Sequence, residues 1–269
     1  METNKQDVKD FWNKAACGEN LYLKGEDEKE AFIKQAARRY ELEPYIIPFA
    51  NFEASKGKKV LEIGVGLGAE HQRYAEAGAQ LHGIDLTERA IINTRKRLAI
   101  FQLESQLQVA DAEKLPFENE SFDIVYSWGV IHHSPNTPTA VNEILRVLKP
   151  GGSAKVMIYH TNSFVGYMLW LRYGFLKLRP FTSLKEIYSK YLESPGTKAY
   201  TVAEAQKLFA QFDTVMIDTV LTHGDLLSSE AGQRHRGYLL SVAKFFSPRF
   251  IIKKFFSKHG LFMLINAIK

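Results

Sequence analysis

Cysteine is nearly absent: Cys17 is the only one among 269 residues. A single thiol excludes an internal disulfide framework, and no Cys/His cluster has the spacing of a zinc site. No run of 18 uncharged apolar residues occurs, which argues against a membrane-spanning helix. The greasiest stretch, Phe164–Leu171, is ended by Arg172. The opening METNKQDVKDFW lacks the basic-then-apolar pattern of a secretory signal, so a cytoplasmic protein is expected. Internal repeats and low-complexity tracts are missing as well. Acid is absent after Glu230, whereas the segment 231–269 holds Arg234, Arg236, Lys244, Arg249, Lys253, Lys254, Lys258 and Lys269. The segment 1–230 is mildly acidic, and the chain as a whole carries +5. Such asymmetry hints at an anionic partner, a membrane surface or a nucleic acid, against the plainer reading of a solvated basic face. With 45% apolar and 24% charged residues the remaining composition is that of an ordinary globular protein.

The segment 1–55 reads as a helical cap, with a helix over 27–40 punctuated by Pro44 and Pro48. From Lys59 strands and helices alternate. Strands are expected at 60–63, 80–84, 107–109, 124–127, 153–159, 214–221 and 261–268. The intervening helices are expected at 70–77, 87–100, 139–148 and 202–212. This β-α-β alternation implies a parallel sheet covered on both faces. Two segments interrupt it, 160–200 and 224–258, so the reading is a cap over 1–55 and one domain over 56–269 with two insertions.

Val60-Leu61-Glu62-Ile63-Gly64-Val65-Gly66-Leu67-Gly68 is a strand running into a glycine turn and a helix. Glycine permits positive φ and close approach of a ligand to the backbone. A turn of this kind at the carboxyl edge of a parallel sheet is where nucleotides bind. The spacing G-x-G-x-G differs from the dinucleotide fingerprint, which favours a nucleoside without a pyrophosphate. Asp85 ends the strand after Gly66, at the interval where an acid can accept from both ribose hydroxyls. Its other reading is an N-cap, which Thr87 could supply instead. Asp111 stands after the third strand at the same edge, where an acid can accept from an adenine amino group while Leu86 and Ala112 pack on the ring. Ser127 and Trp128 end the fourth strand there too.

These stretches resemble the class I S-adenosylmethionine (SAM)-dependent methyltransferases, most closely the small-molecule type of the ubiquinone/menaquinone C-methylases. VLEIGVGLG, GIDLTERAI, ADAEKLPFENESFDIVYSWGVIHH and EILRVLKPGG carry the likeness, over about Lys59 to Tyr159. The resemblance implies a Rossmann-like sheet of seven strands with the last antiparallel, and SAM as cofactor, leaving S-adenosylhomocysteine. It implies that Glu62, Gly64, Gly66 and Gly68 shape the methionine pocket and that Ser127 and Trp128 lie near the amino acid moiety. Lys149-Pro150-Gly151-Gly152 is similar to the family's structural turn. A methyl sulfonium is already a strong electrophile, so no metal is required, and a base helps only a nucleophile that is protonated at working pH.

His132, His133 and His160 are candidates for proton handling, with a capping role for the His pair as the alternative. Trp12, Tyr22, His71 and Tyr159 are candidates for the acceptor side, His71 having a packing role as its alternative. Phe164, Tyr167, Trp170, Tyr173 and Phe175 in the first insertion point to a hydrophobic or aromatic acceptor, or simply pack the insertion on the sheet. Two short helices are expected at 238–246 and 249–258, split by Pro248; the second is basic and amphipathic and could rest on an anionic membrane or pack its apolar side on the domain. A methyltransferase acting on RNA or protein is the second reading. No RNA-binding module and no Asn/Asp-Pro-Pro-aromatic motif supports it. A non-catalytic SAM-binding protein is the third reading, which the intact cofactor motif disfavours.

Overall fold

The computed structural model describes residues 4–14, 19, 27–228 and 249–269. The anticipated alternation is present. Seven strands, β1 (Lys59–Ile63), β2 (Gln80–Asp85), β3 (Gln106–Val109), β4 (Phe122–Trp128), β5 (Leu148–Tyr159), β6 (Thr214–Val220) and β7 (Phe262–Ile268), form one sheet. Their order is β3-β2-β1-β4-β5-β7-β6. Strands β1 to β5 pair in parallel, whereas β7 runs antiparallel to both neighbours. The order reverses at β1 and β4, which opens a crevice beyond their carboxyl ends.

The helices are α1 (Lys5–Lys14), α2 (Glu28–Leu42), α3 (Ile46–Ala50), α4 (Ala69–Glu76) and α5 (Glu88–Ile100), followed by α6 (Thr137–Val147), α7 (Phe164–Tyr173), α8 (Leu184–Tyr191), α9 (Val202–Leu208) and α10 (Arg249–Phe255). Alternate residues of the strands feed two cores. One face buries Leu61, Ile63, Val125, Val156 and Ile265 against α6 and α9. The other buries Val60, Ile124, Tyr126, Trp128 and Leu264 against α3, α4 and α8. The strands are apolar on both sides for this reason.

Caps set the helix starts. Asp27 accepts from Glu30 N–H and starts α2, and Thr87 accepts from Ala90 N–H and starts α5. Asp85 is thereby released from the capping role. Two boundaries differ from expectation. Helix α9 stops at Leu208, short of Phe212, its last turn closing at Phe209. Lys149-Pro150-Gly151-Gly152 lies inside β5 rather than closing a helix. The register jumps from Phe122↔Leu148 to Ile124↔Ser153, so β5 bulges there. Pro150 has no N–H for the ladder, and Gly151 takes a φ of 75°.

Candidate functional site

The glycine turn leaves β1 with Gly64, Gly66 and Gly68 all at positive φ (85°, 53° and 74°). They differ in what surrounds them. A Cβ on Gly64 would stand 2.1 Å from Val130 Cγ2, and one on Gly68 2.9 Å from Thr94 Cγ2. A Cβ on Gly66 would meet nothing within 4 Å, so this glycine keeps open a space that a ligand can enter. The turn is anchored from below. Arg97 of α5, fully buried, donates to Leu67 O (3.0 Å), Phe32 O (3.1 Å), Gln72 Oε1 (2.7 Å) and Gln35 Oε1 (2.7 Å). It ties α2 and α4 to the turn, and burial lowers its pKa to about 10, still charged. Nothing in the spacing of the sequence marks Arg97 for this task.

The two acids of the cofactor reading sit at the carboxyl ends of β2 and β3. Asp85 accepts from Thr87 N (2.9 Å), Thr87 Oγ1 (2.8 Å) and Gly66 N (3.3 Å). Burial raises its pKa, while these bonds and one from Leu86 N–H pull it down. Its Oδ2 accepts the long bond from Gly66, and a carboxylate with about four lone-pair sites keeps acceptor capacity for hydroxyls. Asp111 accepts from Glu113 N (2.9 Å) and pairs with Lys5 Nζ (2.5 Å). A carboxylate has about four lone-pair sites, so acceptor capacity remains. Ala112 packs at the edge of the adjoining core. Ser127 is fully buried and its Oγ has no partner, an orphan beside the crevice that a ligand could satisfy. Together these groups fit a nucleoside-bearing cofactor.

Glu62 and His71 form a buried pair at 2.7 Å. Ser105 Oγ donates to Leu81 O, so it accepts from His71 Nε2–H at 2.8 Å. Burial raises the Glu62 pKa and lowers that of His71 to about 3, so a protonated Glu62 donates to neutral His71 Nδ1. Both ring nitrogens of His71 are occupied and the ring is fully buried. It braces the turn and cannot reach an acceptor, which corrects its place among the acceptor-side candidates. Close to this pair, Arg39 of α2 lies between Glu70 (2.6 Å) and Glu43 (3.8 Å), a buried charged group that the sequence reading missed.

A second cluster forms past the ends of β4 and β5. Glu193, from the first insertion, accepts from Tyr159 OH (2.6 Å) and stands 3.4 Å from His133 Nε2. His133 Nδ1 contacts Ser194 Oγ (2.8 Å) and Thr197 Oγ1 (3.2 Å). Thr197 Oγ1 donates to Ser194 O (2.7 Å), so a lone pair on it faces His133 and favours the Nδ1–H tautomer. His132 meets the rings of His133 and Tyr159 at tilted angles, with ring separations of 4.2 and 4.1 Å. It is fully buried, neither nitrogen has a partner, and burial holds its pKa well below the ordinary value. One ligand atom from each of His132, His133 and Glu193 lies within 4.8 Å of the others.

Aromatic rings wall this cluster. Trp12 of α1 meets His133 edge-on at 5.5 Å, and Tyr159 stacks on Phe262 at 5.8 Å. Trp128 packs between Tyr45, Phe49 and Phe262. Helix α1 therefore spans the crevice, from Lys5 on Asp111 to Trp12 on His133. Tyr22 and Cys17 lie outside the described residues.

His160 does not join the cluster. Its Nδ1 bonds Gly260 O (3.2 Å), and its backbone bridges Tyr200, so it fastens the end of β5 to the approach of β7. This corrects its standing as a proton-handling candidate. The insertion aromatics are displaced too. Tyr173 stacks on Tyr191 at 4.1 Å, Trp170 Nε1 donates to Thr182 O, and Tyr167 and Phe175 face solvent. Glu193, Ser194 and Thr197, which do reach the His pair, carry no local sequence signal; only the chain's return across the sheet edge reveals them.

A 3-2-1-4-5-7-6 sheet with one antiparallel strand, a glycine turn after β1 and acids after β2 and β3 defines the class I SAM-dependent methyltransferases. Residues 61–156 match the methyltransferase domain family. The chain is 29% identical over 200 residues to phosphoethanolamine N-methyltransferase 2 of Caenorhabditis elegans, covering 69% of this chain and 43% of that protein. It is 32% identical over 159 residues to demethylmenaquinone methyltransferase of Tropheryma whipplei, covering 58% of this chain and 65% of that one. In fold it is similar to phosphoethanolamine N-methyltransferase 2 of Haemonchus contortus, solved with phosphomonomethylethanolamine and S-adenosylhomocysteine. That match has a TM-score of 0.56 at 19% identity and covers 80% of this chain and 49% of that one. The chain spans less than half the length of the first curated relatives it matches.

Proposed function

We propose that the chain transfers the methyl group of SAM to a small hydrophobic or aromatic acceptor, with His133 and Glu193 receiving the acceptor's proton. The observation that carries this reading is the cluster at the ends of β4 and β5 in which buried His132, His133 and Tyr159 meet half-buried Glu193. These strands stand beside β1, whose end bears the glycine turn. When bound, SAM supplies a methyl group on a positively charged sulfur. Asp85 receives the ribose hydroxyls and Asp111 the adenine amino group. Ser127 Oγ and the Arg39–Glu70 pair face the amino acid end. Trp12, Trp128, Tyr159 and Phe262 exclude water and favour an apolar acceptor. Tyr159 OH fixes the Glu193 carboxylate, and a proton lodged between Glu193 and His133 Nε2 is held by both.

The relatives' named acceptors span an amino alcohol phosphate and a quinone precursor, so the acceptor atom is tested directly. Radiolabelled SAM is offered with phenols, hydroquinones, amines and bulk tRNA. Transfer to a phenol, hydroquinone or amine is the expected result, and transfer to tRNA alone refutes it. On the accepted compound, Glu193→Gln and His133→Asn should each lower kcat about 10²- to 10⁴-fold, with SAM affinity unchanged. Wild-type rates in both variants would remove the base assignment. Chelation by EDTA should leave the rate unchanged. A loss restored by zinc would make the cluster a metal centre instead.

A further inference from the structure

The first insertion has an inner end, which supplies Glu193, and an outer surface that the methyl-transfer chemistry does not use. Along α7, Tyr167 and Leu171 recur at i and i+4, and Phe175 continues the interval just past the helix. All three are exposed and share one side. Past the helix, Leu178 and Phe181 are 91% and 100% exposed. Leu178 holds a φ of 58°, a conformation unusual for leucine, which turns the chain at the tip. At the other end of α7, Phe164 meets Phe256 at 5.9 Å, and Tyr167 OH bonds His259 Nδ1 at 3.0 Å. The stripe therefore runs on into α10, where Phe250 is 74% exposed and Phe255 is also bare.

Single exposed apolar residues are ordinary, but a continuous row of large ones marks a contact surface. Its charge names the partner. From Asn162 to Lys185 the basic residues are Arg172, Lys177, Arg179 and Lys185, and there is no acid. From Arg249 to the end there is again no acid, and Lys253, Lys254 and Lys258 flank the phenylalanines. A symmetric contact with a second copy would set these cations against themselves. An anionic bilayer surface instead takes the aromatic and leucine side chains at its acyl boundary and the cations at its headgroups.

We infer that the outer side of the 164–181 insertion, together with α10, is a docking surface for an anionic lipid membrane. This places the membrane contact on the insertion as well as on the basic C-terminal segment. Residues 238–248 of the 238–258 segment singled out in the sequence lie outside the described residues.

The test is co-sedimentation of the full chain with vesicles of pure phosphatidylcholine and of phosphatidylcholine with phosphatidylserine at about 30%. Binding is expected to the anionic vesicles only and to weaken as salt rises. The variant Leu178→Ser/Phe181→Ser should lower the partition coefficient about tenfold or more, with Tm and SAM affinity unchanged. Lys253→Glu/Lys254→Glu should lower it as well. Equal recovery with and without anionic vesicles would overturn the proposal. So would wild-type binding by the Leu178→Ser/Phe181→Ser variant, or a dimer that the same two substitutions dissociate.

Discussion

Replacing Gly66 by alanine separates the backbone demand of the turn from its role in holding a ligand. Gly66 has a φ of 53°, and a Cβ there meets no protein atom within 4 Å. The fold therefore loses only the left-handed backbone term, about 1–2 kcal/mol, which lowers Tm by about 2–8 °C for a chain of this size. The new methyl group instead enters the space reserved for the cofactor. Overpacking of one methyl costs about 1–3 kcal/mol, or about 5- to 150-fold in Kd. Gly57→Ala is the control: φ is 71°, nothing lies within 4 Å, and the residue precedes β1 at the opposite edge of the sheet. It should show the same stability loss and an unchanged cofactor affinity. Gly64→Ala should be the least stable of the three, because its Cβ would sit 2.1 Å from Val130 as well as at a φ of 85°. Thermal melts give the stability term, and isothermal titration with S-adenosylhomocysteine gives the affinity. Wild-type affinity in Gly66→Ala, or an equal loss in Gly57→Ala, would refute the placement of the cofactor against this turn.

Two further outcomes follow from buried polar groups. His132 is neutral in the fold with its pKa pushed well below 6.5, whereas the unfolded chain binds its proton once pH falls through 6.5. Its contribution is complete above that pH and is lost on acidification, by up to about 1.4 kcal/mol per pH unit. The His71–Glu62 pair adds no net slope between 4.5 and 6.5, because the proton that His71 lacks in the fold is held by Glu62. Urea melts from neutral to mildly acidic pH should show the slope, and His132→Asn should flatten it; a slope unaltered by that change would contradict the assignment. Arg97→Met should leave Leu67 O, Phe32 O and two glutamine oxygens without their donor and cost about 3 kcal/mol or more. It should also weaken cofactor binding through the loosened turn, and a variant with wild-type Tm would show that water replaces the guanidinium without loss.

Much of the fold was legible because its signals are local. The period of the strands, the glycines at 64, 66 and 68, and the capping residues Asp27 and Thr87 each act within a few positions of the chain. Asp85 and Asp111 could be placed for the same reason: a parallel strand delivers its next residue to the carboxyl edge, whatever its partners are. Residues serving the site from a distance left no such mark. Arg97 looks like any basic residue of a surface helix until α2 and α4 close over it. Glu193 is one acid in an irregular segment until the insertion brings it to Tyr159 and His133, both far back in the chain.

The histidines show where local reading stops. His71, His132, His133 and His160 are all buried or nearly so, and the sequence ranks them alike. Their environments then diverge. His71 is occupied at both nitrogens and His160 is tied to a backbone carbonyl, while His133 faces a carboxylate and His132 is left without a partner. The insertion aromatics divide similarly: Tyr167 and Phe175 are exposed, Tyr173 stacks on Tyr191, and the rings nearest the His pair are those of Trp12 and Tyr159. The sequence by itself determined the sheet, the glycine turn and the acids at the carboxyl ends of β2 and β3, since these follow from spacing along one strand–turn–helix unit. Only the tertiary structure decided which histidine meets an acid and which aromatic meets water, because that depends on chain segments that become neighbours only once the sheet has closed.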